Sequence, residues 1–93
     1  MMFYLICYDI VDDRRRTKVS KLLEACGMRV QKSVFEVVLN QIQYEKLQIK
    51  LSKLLDTKAD RLRFYPLPAN SRYQVQILGT QPEFAIDDSV FIV

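Results

Sequence analysis

Histidine is missing from this chain altogether. Its absence excludes serine-histidine and cysteine-histidine nucleophilic catalysis, and with them the commonest zinc sites. The two cysteines, Cys7 and Cys26, form no CxxC pair and read as small core residues. With only two glycines and three prolines there is little linker, and no glycine-rich phosphate loop is present. No apolar run approaches the length of a spanning helix. The N-terminus has no basic lead and no small-residue cleavage site, so the expectation is a cytoplasmic protein with no membrane partner. Catalysis, if any, must use carboxylates, lysine, tyrosine or a hard metal ion.

What is present is the balance of a folded soluble domain, with 49% hydrophobic and 27% charged residues in 93. A chain of this size builds one core, yet gains considerably from burial against a partner, so a homodimer is expected. The net charge of +3 is too small to identify a polyanion ligand by itself. Its distribution says more.

The chain is organised around Tyr4 to Asp9, an apolar run too short for a helix span and rich in branched and aromatic residues. Met2, Tyr4, Ile6 and Tyr8 share one face; Phe3, Leu5 and Cys7 share the other. A strand apolar on both faces needs cover on both. Asp12 and Asp13 can cap a following helix, in which Val19, Leu22, Leu23 and Cys26 recur at helical spacing and Gly27 supplies the stop. Met28 to Leu39 reads as two strands joined near Gln31 and Lys32, or as one bulged strand. Asn40 and Gln43 make a capping box for a second helix buried through Tyr44, Leu47, Leu51, Leu54 and Leu55. A strand through Leu62 and Phe64 is expected to end at Pro66 and Pro68, with another strand over Tyr73 to Leu78. The order predicts an α+β, ferredoxin-like βαββαβ sandwich with an extra C-terminal strand, dimerising through its bare sheet face. Residues 1–79 form the domain and 80–93 a tail that docks on a partner or on the dimer.

Asp9 ends a central strand, where a carboxylate needs a partner. It can cap the next turn, pair with a nearby arginine, or bind a divalent cation through oxygen ligands. Arg14, Arg15, Arg16 and Lys18 crowd the start of the first helix, and Arg29 may approach them. The positive end of the helix macrodipole disfavours cations there. A solvated face is the plain alternative, but phosphate contacts would relieve the repulsion and point to nucleic acid held through its backbone. Tyr8 and Phe35 are suited to stacking on bases, although strand aromatics more often pack in a core or interface.

Tyr8-Asp9-Ile10-Val11-Asp12-Asp13 with Arg16-Thr17-Lys18-Val19, followed by Gly27-Met28-Arg29-Val30-Gln31-Lys32-Ser33-Val34-Phe35-Glu36, closely resembles the CRISPR-associated endoribonuclease family. The resemblance implies a ferredoxin-like homodimer that binds RNA or DNA and partners the CRISPR integrase in a heterohexameric spacer-integration complex. It implies that Asp9 of each subunit, near the two-fold axis, holds magnesium or another divalent cation such as manganese. Cleavage of single-stranded RNA or double-stranded DNA is the implied activity, and a non-catalytic bridging scaffold the alternative. Arg16 and Lys18 match basic positions of the family, and Tyr8, Arg29, Ser33 and Phe35 match its two blocks.

Overall fold

The computed structural model describes residues 1–80. Strand β1 (Met2–Asp9) leads to helix α1 (Asp13–Glu24), then to the hairpin of β2 (Gly27–Gln31) and β3 (Val34–Leu39). Helix α2 (Gln41–Leu54) and strand β4 (Arg61–Pro68) complete the βαββαβ order, and a 3-10 helix (Ala69–Gln74) follows. The strands form one antiparallel sheet in the order β2-β3-β1-β4, so β1 is central and β4 an edge. This is the expected ferredoxin-like arrangement.

Both helices begin where their caps predict. The Asp12 carboxylate accepts from the Arg15 amide at 2.9 Å. Asn40 and Gln43 satisfy each other's amides at 2.8 and 2.9 Å, completing the capping box. Val19 and Leu23 of α1 and Leu47 and Leu51 of α2 are buried with Tyr4, Ile6 and Tyr8 of β1 and Phe35 and Val37 of β3. The core therefore lies between the helices and one sheet face. On the other face Leu5, Cys7, Val34 and Val38 remain half exposed. The 3-10 helix packs against β1, and Phe3 is buried on that face.

Four expectations are corrected. The α1 stop is not a left-handed glycine: Ala25 closes the helix with its amide on the Leu23 and Lys21 carbonyls, and Gly27 already belongs to β2. Its missing side chain is needed there because a Cβ would run into the Glu36 carbonyl and Val37. The hairpin turn falls at Lys32 and Ser33, and β2 also has a register shift between Arg29 and Gln31, so turn and bulge coexist. Strand β4 continues through Pro66 and Pro68, which pair with Tyr4 and Met2. Two residues apart on an edge strand, both prolines direct their missing donor away from the ladder. No strand forms over Tyr73 to Leu78: Tyr73 and Gln74 close the 3-10 helix, and the residues after them have no regular structure. A strand needs a ladder partner for its amides, and none is offered to this segment within the described residues. The expected docking tail falls almost wholly outside the described residues. No described helix is long and apolar enough to cross a membrane.

Candidate active site

The core claims Tyr8, so the alternation of β1 turns the next side chain, Asp9, to the open face. Asp9 is exposed, and among the described residues its carboxylate makes no ion pair and no hydrogen bond. Directly across the ladder stands Arg61, with Arg63 across from Cys7. Neither arginine stood out in the sequence. Their alternation with Leu62 and Phe64 marks an outward face, but only the strand register brings that face beside Asp9.

The residues before and around Asp9 form its support. Tyr8 is buried, its hydroxyl donates to the Lys32 carbonyl at 3.4 Å, and its ring lies 6.3 Å from that of Phe35. Burial pushes the Tyr8 phenol up, with the Arg29 charge acting in the opposite direction. Phe35 is 0% exposed, so neither ring presents a face to a base. The Ser33 carbonyl accepts from the Tyr8 amide at 3.1 Å and ties the hairpin turn to the end of β1. Arg29 lies 5.0 Å above the Phe35 ring, donates to the Lys32 carbonyl at 2.7 Å, and meets Glu24 at 2.9 Å as well as the Ser20 hydroxyl. It joins α1 to the hairpin.

The basic start of α1 divides into engaged and free groups. Arg15 makes a two-pronged contact with Asp60, at 2.8 and 3.2 Å. The Asp60 side chain has no solvent exposure and also accepts from the Val11 and Asp56 amides, at 3.3 and 2.9 Å. The Arg15 guanidinium holds the Asp60 carboxyl at about 2, below its ordinary 3.8, against the opposing effect of burial. Arg16 donates to the Ile10 carbonyl at 3.0 Å and pairs with Asp13. Arg14 and Lys18 are exposed and make no ion pair among the described residues. The anion that the crowded helix start calls for thus comes partly from Asp60, 45 positions beyond Arg15. Sequence reading passed over Asp60 because no periodicity links residues so far apart.

A single chain does not gather a cation site: no cluster of three or more histidine, cysteine, aspartate or glutamate side chains occurs among the described residues. Asp9 offers the oxygen donor that a hard divalent ion prefers, and the donor set fits such an ion only when a second copy adds its own Asp9. A groove of about 510 Å³ lined by Leu22, Cys26, Leu39 and Lys46 lies elsewhere. Leu39 pairs with Met2, at the end of β1 remote from Asp9.

This arrangement can be set beside known proteins. The model of the family described as CRISPR associated protein Cas2 matches residues 2–75, a span that includes every element above. The chain belongs to the Cas2 family. Within that family it is 49% identical over 82 residues to the CRISPR-associated endoribonuclease Cas2 3 of Synechocystis sp., covering 88% of this chain and 89% of that one. It is 46% identical over 93 residues to the CRISPR-associated endoribonuclease Cas2 1 of Chloroflexus aurantiacus, covering 99% and 100%. A chain solved in a partial Cas6-RT-Cas1-Cas2 complex superposes with a TM-score of 0.70 at 34% identity, covering 84% of this chain and 85% of that one. The fold and the family expected from the Tyr8–Asp13 and Gly27–Glu36 blocks are thereby established.

Proposed function

We propose that this chain is a divalent-metal-dependent endonuclease of CRISPR spacer acquisition, acting as a homodimer on single-stranded RNA or double-stranded DNA. The observation that carries the reading is the unpartnered, exposed Asp9 carboxylate at the end of the central strand, on the sheet face the helices leave open. The names of the endoribonuclease relatives support the same chemistry. Two copies meeting through their open faces would bring two such carboxylates together. Magnesium or manganese held there would activate a water toward a phosphodiester and offset charge on the leaving oxygen. The chain's own part is to fix Asp9 through the Tyr8, Ser33 and Arg29 contacts and to supply cations that bind the phosphate backbone. Arg14 and Lys18 are the α1 groups free for this. The work is that of a cytoplasmic protein.

Asp9→Ala is expected to reduce magnesium-dependent cleavage of RNA and DNA at least a thousandfold, to the level seen with chelator, without changing the dimer's sedimentation. Undiminished cleavage by the purified variant would remove Asp9 from the chemistry. A second reading, a non-catalytic scaffold that bridges integrase subunits, draws on the similarity to a chain solved inside a Cas1-containing complex. Normal spacer integration by Asp9→Ala in the presence of the integrase would favour it.

A further inference from the structure

Of the cations that surround β1, most are already engaged by their own chain. Arg15 is held by Asp60, Arg16 by Asp13 and the Ile10 carbonyl, and Arg29 by Glu24, Ser20 and Lys32. Helix α1, with Arg14 and Lys18, packs on the sheet face opposite to the one Asp9 occupies. Arg61 differs on both counts. It pairs with Asp9 in the ladder, so the two side chains leave the same face from directly opposed positions, about 5 Å apart at their β-carbons. It is exposed and makes no ion pair or side-chain hydrogen bond among the described residues.

The row continues along the edge strand. Arg63 and Tyr65 follow at two-residue spacing, which keeps them on the same face. The Arg63 guanidinium donates to the Tyr65 hydroxyl at 3.1 Å, and Tyr65 is 41% exposed. Two guanidinium groups and then an aromatic ring, evenly spaced along a sheet rim that starts at a carboxylate, match the needs of a single nucleic-acid strand: backbone charge is met repeatedly and a ring is offered to a base.

We propose that Arg61 is a phosphate-binding residue of the Asp9 site, holding a single strand by the phosphate next to the bond that faces Asp9, with Arg63 and Tyr65 receiving the adjoining nucleotides. The inference rests on the reading of Asp9 as the reacting centre. It also gives the strand a direction, away from Asp9 along β4. The plain alternative is a cross-strand charge pair, in which Arg61 merely balances Asp9 and steadies the sheet.

The two are separated by binding measured in chelator, where no cleavage occurs, using fluorescence anisotropy of a labelled single-stranded RNA over a series of salt concentrations. Arg61→Gln is expected to weaken binding about tenfold and to lower the slope of log affinity against log salt by about 0.7, the value of one lost single-strand phosphate contact. Arg61→Lys is expected to restore the slope. Lys53→Gln, on the outer face of α2, is expected to change neither. A charge-pair role predicts instead a lowered melting temperature with an unchanged slope, and that outcome overturns the proposal, as does a loss confined to blunt duplex DNA. Failure of the Asp9 reading shows separately: Asp9→Ala would still cleave, whatever the slope of the Arg61 variants.

Discussion

Arg15 can serve as a phosphate ligand only to the extent that Asp60 releases it. The two-pronged contact, at 2.8 and 3.2 Å, uses the planar fork of the guanidinium, and Asp60 also secures the amides of Val11 and Asp56. One carboxylate therefore joins the β1–α1 loop, the first turn of α1 and the turn before β4. Removing it leaves buried donors unpaired, which costs more than the pair itself contributes. Asp60→Ala is expected to lower the melting temperature by more than loss of an exposed ion pair such as Arg29–Glu24. The pH dependence has a definite sign. Since the folded carboxyl sits at about 2, below the ordinary 3.8, its stabilising contribution is complete above about pH 4 and is lost as pH falls toward 2. Thermal melts of wild type and Asp60→Asn across that range are expected to converge at the acid end; parallel curves would show that the pair is not what holds the loop. The crowding of arginines at a helix N-terminus told of a missing anion. That the anion includes Asp60 depended on a contact across 45 positions, which no local pattern records.

At the scale of elements, caps and periodicities were legible because each involves groups only a few residues apart. Asp12, and Asn40 with Gln43, cap their helices as their spacing predicts. Gly27 shows the limit of such reasoning. A glycine after a helix suggests a left-handed cap, yet here it permits close approach of β2 to the Glu36 carbonyl and Val37. Gly27→Ala is accordingly expected to destabilise the fold by about 1–3 kcal/mol, measured by urea denaturation, because backbone and not a flexible side chain blocks the added methyl. An unchanged midpoint would return the residue to a merely terminating role. The two prolines of β4 teach the same point: whether a proline ends a strand depends on whether its side of the ladder is occupied, and sheet order decides that.

For the whole molecule, the decisive feature is the open sheet face. Leu5, Cys7, Val34 and Val38 are half exposed there, and Tyr65 and Leu67 line its edge at 41% and 39%. Glu36 lies on the same face, across from Leu5, and burial pushes its carboxyl up. A partly desolvated carboxylate amid apolar side chains is an expensive surface to leave to water. A second copy is the cover that also completes the Asp9 pair. Leu5→Lys is expected to convert the dimer to monomer in sedimentation at micromolar concentration and to abolish cleavage, while far-ultraviolet circular dichroism stays unchanged because Leu5 is outside the helix-facing core. A variant that remains dimeric would move the interface to another surface.

Sequence alone determined the element order, both helix starts, the two-faced apolar character of β1 and the prominence of Asp9. All of these follow from chemistry repeated within a few residues of chain. Only the tertiary structure decided which cations are free, because register and long-range pairing consume Arg15, Arg16 and Arg29 while setting Arg61 across from Asp9. Hydrogen-bonded ladders and buried ion pairs join residues by distance in space, and a linear pattern contains no measure of that distance.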